Sequence, residues 1–192
     1  RVDEAHDKFA AAARTAGATL EEIVHPLKGP HGETIRVGVA VLGNPKGGKA
    51  LLVLSGTHGV EGFAGAAIQT GVLSNATSLG PLDDMRLVFV HLINPWGAAW
   101  DRREDHENID LFRNFLYTDK PATPDPLFDV WDDAMDLAHL GERSHAETLA
   151  IMRRLVAEHG EAKLISAVRR GQHHRPKSLT YHGQGPCWSK RV

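Results

Sequence analysis

The chain has 192 residues, of which 42% are hydrophobic and 24% are charged, and its net charge at pH 7 is −2. This balance predicts a single globular domain over residues 1–192 and argues against binding to nucleic acids or anionic membranes. No apolar stretch approaches the ~18 residues that a membrane-spanning helix needs. Cys187 is the one cysteine, so a disulfide within the chain is excluded and a reducing, cytoplasmic compartment is favoured.

The N-terminal part is predicted to begin with a helix and to continue into strands. Residues 2–16 are rich in alanine and place Phe9 and Ala12 on one side, which is typical of an amphipathic helix that ends at Gly17. Residues 34–42 alternate between apolar and polar or small side chains. This period of two predicts a strand with one buried face.

The most informative stretch is residues 51–61, LLVLSGTHGVE. Its apolar run ends in small and polar residues, which predicts a strand buried on both faces, and residues 62–73 predict the helix that follows. His58 and Glu61 then lie at the carboxyl edge of an open α/β sheet, where ligands bind. An imidazole and a carboxylate are both good zinc ligands, and a short loop can turn them toward one point. The HxxE pair therefore predicts a metal site.

Two other kinds of site explain the same stretch less well. Glycine recurs at every third position from 56 to 65, which matches neither of the phosphate-binding patterns GxGxxG and GxxxxGK[ST]. Ser55 lacks the GxSxG surroundings of a serine nucleophile.

A second apolar run, residues 86–93, predicts another central strand. It is expected to be parallel to the first, because a helix connects the two runs. Residues 100–115 follow at the same sheet edge and are dense in charge, but interleaved apolar side chains predict that this loop packs against the domain. Its arginines are therefore expected to face the same cleft as His58.

The rest of the chain is predicted to be helical and then irregular. Residues 121–126 form a proline-rich connection, and residues 127–140 and 144–170 have apolar side chains at helical spacing, which predicts core-packing helices. Residues 171–192 are rich in His, Gly and Pro and are predicted to be irregular.

Three segments, in this order, resemble the zinc carboxypeptidase superfamily, which includes the succinylglutamate desuccinylase and aspartoacylase deacylases. They are SGTHGVEG at 55–62, INPWGAAW at 93–100 and DLFRNF at 110–115. The chain is most similar to a bacterial branch of carboxypeptidase-like proteins described only as a domain of unknown function. The resemblance implies a three-layer α/β fold with a mostly parallel mixed sheet, of which this chain would be an incomplete, N-terminal portion.

The same resemblance implies a zinc-dependent hydrolase of the carboxypeptidase type, which cleaves an amide bond next to a substrate carboxylate. His58 and Glu61 match the first two zinc ligands of the family. Arg113 and Asn114 lie in the segment that holds the terminal carboxylate of the substrate. A guanidinium suits a carboxylate, because both hydrogen bonds can form at once.

The family's oxyanion-stabilising arginine corresponds to Arg103, and the neighbouring Arg102 is the alternative. Such an arginine is useful because negative charge develops on the former carbonyl oxygen during amide hydrolysis. A peptide or an N-acyl amino acid is the implied substrate.

The sequence departs from the family pattern in two places. Phe112 stands where the family has an asparagine, so half of the carboxylate clamp is missing or is supplied by Asn114. The third zinc ligand and the general-base glutamate are not matched within the chain, which predicts that residues 1–192 alone bind zinc weakly or not at all and hydrolyse nothing at a useful rate. His173, His174 and His182 are the alternative source of a third ligand.

These departures keep three functions open. The first is the carboxypeptidase-type hydrolase, and the second is a deacylase that removes the acyl group from a small N-acyl amino acid. The third is a non-catalytic, metal-free binding domain with the same fold. Without later strands, the sheet is expected to expose an apolar edge and face, which predicts self-association.

Overall fold

The computed structural model describes residues 1–116 and 123–192, so part of the predicted 121–126 connection lies outside the described residues. The chain forms two compact units. Arg1–His106 with Arg191–Val192 make up the N-terminal unit, and Glu107–Lys190 make up the C-terminal unit. Within the described ranges, no helix combines the length and hydropathy needed to span a membrane.

The N-terminal unit contains a four-stranded mixed sheet with the strand order β1-β2-β4-β3. Its strands are β1 Thr19–Lys28, β2 Thr34–Gly43, β3 Lys49–Leu54 and β4 Met85–His91. Its helices are α1 Val2–Thr15, α2 Phe63–Ser74 and α3 Pro95–Ala99, and short 3-10 turns cover Gly59–Gly62 and Ala76–Leu79. The predicted α/β class with a mixed sheet is confirmed.

The predicted parallel pair is β3 and β4, which α2 connects. The other two pairings, β1 with β2 and β2 with β4, are antiparallel. The described sheet is thus less parallel than the expected mostly parallel one. The reason is connection length, because residues 29–33 and 44–48 are too few for a parallel crossover, which needs a dozen or more residues. β2 is therefore antiparallel to β1 and to β3, and hence also to β4, which is parallel to β3.

One face of the sheet is covered by helices. The register places Ala40, Phe89 and Val53 side by side on neighbouring strands, so their side chains share this face. Phe9 of α1 and Leu73 of α2 pack onto it, and both are fully buried. The alanine-rich sequence of α1 lets it lie close to the sheet.

The opposite face of the sheet also carries rows of apolar side chains, and it is more exposed to solvent. Its rows are Val41–Val88–Leu52 and Val39–Val90–Leu54. Leu52 and Leu54 are 57% and 41% exposed, since β3 is an edge strand in the described part of the sheet. The prediction that β3 is buried on both faces is therefore wrong for the described residues, because strand order, which sequence does not reveal, decides burial.

The C-terminal unit is helical, as predicted. Its helices are α4 Leu111–Leu116, α5 Pro126–Met135, α6 His145–His159, α7 Glu161–Arg170 and α8 Trp188–Arg191, with a 3-10 segment at Leu137–Glu142. A capping box between Ser144 and Glu147 starts α6, and Gly160, at φ +86°, separates it from α7. The core contains Phe128, Leu155 and Leu164.

Candidate active site

The turn between β3 and α2 is pressed against the loop that follows α3. Gly59 has φ +46°, and a Cβ at this position would lie 2.0 Å from the carbonyl oxygen of Arg102. The same carbonyl accepts a hydrogen bond from Val60 N at 3.0 Å. Only glycine allows this approach, so the sequence GTHGVEG brings the β3–α2 turn and the charged loop together.

His58 and Glu61 meet in this turn. His58 Nδ1 lies 3.3 Å from Glu61 Oε2, and the two side chains are 26% and 58% exposed. Two ligand atoms on one tetrahedral zinc, at bond lengths of about 2.0–2.2 Å, are roughly 3.3–3.6 Å apart. The distance between Nδ1 and Oε2 lies within the about 4 Å expected of two side chains that point at a common spot, and their role as zinc ligands stays a prediction.

Arg103 contacts both His58 and Glu61, and the three side chains form a His–Glu–Arg cluster. Its NH2 donates to His58 Nε2 at 2.8 Å, and its Nε lies 3.5 Å from Glu61 Oε1. Because a guanidinium can only donate, His58 Nε2 is the acceptor, and the ring proton sits on Nδ1, facing Glu61. Arg102 is half exposed and comes within 4.0 Å of Glu104. Of the two predicted arginines, Arg103 thus contacts His58.

Asn94 holds the loop that carries Arg103. Its side-chain oxygen accepts from Gly97 N at 2.9 Å, which caps α3, and its Nδ2 donates to the carbonyl of Arg103 at 3.3 Å. Arg102 N donates to Gly97 O at 2.8 Å. The sequence prediction assigned no role to Asn94, although an asparagine directly before proline at a strand end is a helix-cap signal.

A buried network lies behind the turn. Gln69 Oε1 accepts from Ser55 Oγ at 2.9 Å and contacts His91 Nδ1 at 3.1 Å, and Ser55 Oγ accepts from Leu92 N. Burial, with a smaller contribution from His6, lowers the pKa of His91 to about 3. His91 is therefore neutral at physiological pH, and the network joins the carboxyl ends of β3 and β4.

The predicted substrate-binding residues belong to the C-terminal unit, and their side chains bind protein groups. Arg113 donates to Asp110 Oδ2 at 2.6 Å and to the carbonyl of Arg169 at 3.0 Å. Asn114 donates to the carbonyls of His182 and Gly185, at 2.7 and 2.8 Å, and accepts from Cys187 N at 3.1 Å. A substrate carboxylate would have to displace these contacts, so the clamp role stays a prediction.

The three histidines considered as alternative ligands also lie in the C-terminal unit. The ring of His173 is 5.8 Å from that of His174 and 5.5 Å from that of His182, and His174 Nε2 contacts Asp129 Oδ1 at 2.7 Å. Burial, opposed by a hydrogen bond to Gly183 O, lowers the pKa of His182. No group of three His, Cys, Asp or Glu side chains within residues 1–116 and 123–192 is placed to hold a metal ion.

The fold and these contacts define an α/β protein with a His–Glu–Arg cluster at the carboxyl edge of a parallel strand pair. The chain belongs to the family described as "Protein of unknown function (DUF2817)", which matches residues 2–192. No curated protein matches the chain.

Several solved glutaminyl cyclases are similar to part of the chain. The Tannerella forsythia enzyme is 16% identical with a TM-score of 0.37, over 64% of this chain and 49% of that one. The Porphyromonas gingivalis enzyme is 18% identical with a TM-score of 0.32, over 50% and 40%. The Macrostomum lignano enzyme is 15% identical with a TM-score of 0.34, over 46% and 30%. The chain thus spans less than half the length of each of these proteins.

Proposed function

We propose that His58, Glu61 and Arg103 belong to the active site of a zinc-dependent hydrolase of the carboxypeptidase type. One observation carries the proposal: His58 Nδ1 is 3.3 Å from Glu61 Oε2, while Arg103 is 2.8 Å from the same imidazole. Two ligand atoms at the spacing that zinc requires thus lie beside a permanent cation. The proposal includes membership of the zinc carboxypeptidase superfamily.

His58 and Glu61 would hold the zinc ion through Nδ1 and Oε2. When bound, zinc would polarise the amide carbonyl and lower the pKa of a bound water. His58 coordinates through Nδ1 only after that nitrogen has given up its proton, so Nε2 would then carry the N–H. Arg103 would lose its acceptor on His58, because two donors cannot share a hydrogen bond.

Arg103 would then serve the reaction as a donor. Its guanidinium, held near Glu61, would donate to the carbonyl oxygen of the substrate as negative charge develops there. Arg113 is proposed to bind the substrate carboxylate, as the family resemblance implies. A peptide and an N-acyl amino acid fit this chemistry equally, since both present an amide bond next to a carboxylate.

A non-catalytic binding domain is the second candidate, and one observation favours it. The described residues provide two matched zinc ligands where a catalytic site normally has three. In that case the His58–Glu61–Arg103 contacts would serve only to stabilise the turn.

Zinc binding by the purified chain separates the two candidates. Competition with a chelating dye should detect one weakly held zinc ion, and His58→Ala and Glu61→Gln should each weaken it at least ~10-fold, because each removes one bond. Arg103→Gln should tighten it by about 5-fold, since about 1 kcal/mol of competing hydrogen bond and charge repulsion disappears. Arg102→Gln is the matched control and should change nothing. Zinc affinity that is unaffected by His58→Ala and Glu61→Gln would contradict the proposal.

Hydrolysis assays test the proposed catalytic activity. The zinc-saturated chain is incubated with N-acetyl amino acids and with the corresponding amides, which lack the carboxylate. We expect at most slow release of acetate from the acids, because the matched residues include no general base, and still less from the amides. Turnover of neither substrate would leave the non-catalytic binding domain as the better description, whereas equal turnover of both would contradict the proposed recognition of the substrate carboxylate.

A further inference from the structure

The consecutive helices α6 and α7 present an apolar groove on the surface of the C-terminal unit. The groove encloses about 350 Å³. Its walls include Met152 and Val156 from α6 and Ile165 from α7, which are 36%, 36% and 43% exposed. An ordinary surface helix turns charged residues outward at such positions, so the exposed apolar face indicates a site that binds something.

Two side chains of opposite charge lie at the edges of the groove. Glu161 and Arg169 both line it, at the two ends of α7, with Ile165 halfway between them. Spacings of four and eight residues place all three on one side of a helix, with the charges about 12 Å apart along the axis. Among the described residues, neither charged side chain makes an ion pair within the chain.

We propose that this face is where two copies of the chain meet, with α7 of one copy antiparallel to α7 of the other. A two-fold axis at Ile165 would place Ile165 against its own copy. It would also set Glu161 opposite Arg169 of the second copy, and the symmetry would repeat this pair at the other end. The apolar side chains of both grooves would leave water together, which supplies the driving force.

The order of charges favours a second copy over other occupants. An acidic residue early in a helix and a basic one late complement the helix dipole on any side of the helix. Here Glu161 and Arg169 both lie on the apolar side of α7. A second copy of this surface, rotated by 180°, places its Arg169 opposite Glu161 and its Glu161 opposite Arg169. A small apolar molecule or an unrelated helix would not require this self-complementary order.

The exposed face of β3 does not have such a self-complementary order of charges. Lys49 begins the strand, no acidic residue lies at its other end, and Lys49 Nζ is already 3.6 Å from Asp84 Oδ2. Antiparallel pairing of two β3 strands would therefore leave the lysines without opposite charges. This makes Leu52, which is 57% exposed on β3, a matched control for Ile165.

The test is sedimentation equilibrium of the whole chain and its variants. The unchanged chain should dimerise reversibly, and Ile165→Glu should weaken the dimer at least ~30-fold, because it places two like charges on the symmetry axis. Leu52→Glu should leave the dimer unchanged. Circular dichroism should show the same helix content for every variant, since the substituted positions are exposed.

Exchanging the charges of Glu161 and Arg169 provides the decisive experiment. Glu161→Arg alone and Arg169→Glu alone should each weaken the dimer about 10-fold, because each creates two like-charge contacts. The double variant should restore the original affinity. The proposal is overturned by a chain that stays monomeric at about 0.1 mM, by loss of the dimer in Leu52→Glu but not in Ile165→Glu, or by a double variant as weak as the single ones.

Discussion

The side chain of Asn114 is expected to stabilise the fold, and Asn114→Ala should show this directly. Asn114 is 1% exposed and joins three backbone groups of residues 182–187 to α4. Gly185 is exposed, so its carbonyl can turn to water after the substitution. The carbonyl of His182 and the N–H of Cys187 belong to buried residues and would each lose the hydrogen bond to Asn114. At about 0.5–1.5 kcal/mol for each of the three lost hydrogen bonds, the variant should lose about 1.5–4.5 kcal/mol.

Urea denaturation measures this loss. With a slope of about 1–3 kcal/mol per M, the midpoint of Asn114→Ala should fall by roughly 1–3 M. The control is Asn75→Ala, because Asn75 is exposed and its Nδ2 makes one bond, at 2.8 Å to Gly71 O. That variant should stay within about 0.5 kcal/mol of the unchanged chain. Equal midpoints for the two variants would refute the structural role and leave Asn114 available for a substrate.

Two further predictions concern the N-terminal unit. Gly59→Ala should lower the free energy of unfolding by about 2 kcal/mol or more and weaken zinc binding, because its Cβ would lie 2.0 Å from Arg102 O. In contrast, Gly71→Ala, inside α2 with nothing within 4 Å, should be neutral or slightly stabilising. The folded chain binds a proton at His91 only near pH 3, whereas the unfolded chain does so near pH 6.5. The contribution of His91 to stability should therefore fall as pH drops from 6.5, by about 2 kcal/mol at pH 5, and His91→Gln should lose less stability by this amount in urea titrations at pH 8 and pH 5.

Local sequence patterns predicted the elements that surround the candidate site. The apolar run that ends at Ser55 predicted β3, and the residues after Gly62 predicted α2. The spacing of His58 and Glu61 predicted their proximity, because a four-residue turn limits how far apart two side chains can point. Each of these features depends on residues that are near one another in sequence, which is why the pattern was sufficient.

The order of strands and the exposure of β3 depended on information that the sequence does not carry locally. Residues 51–54 are as apolar as a buried strand, yet three of these four side chains are more than 40% exposed. Burial of a strand is decided by which strands pair with its edges and which helices cover its faces. In the described residues, β4 pairs with one edge of β3 and α2 lies toward one face.

The positions of polar side chains were hardest to predict. Asn94, Gln69 and Asn114 each bind backbone groups that are distant in sequence, such as Asn114 with residues 182–187. Asn114 matched a substrate-binding motif by position, but its three hydrogen bonds satisfy backbone groups of the fold. A sequence motif gives the residue type, whereas the direction of its hydrogen bonds follows from the tertiary structure.

The main chain around Arg102 determines how far apart Arg103 and His58 lie. The Arg102 carbonyl accepts from Val60 N, and Arg102 N donates to Gly97 O, so the loop carrying Arg103 is bound on both sides. Removing the charge of Arg103 should therefore leave His58 in place and alter only zinc affinity and oxyanion stabilisation. A Cβ at Gly59 would instead push the turn and the loop apart and alter both together. Variants at these two positions thus separate the contribution of charge from that of geometry, because only the Gly59 variant should also lower stability.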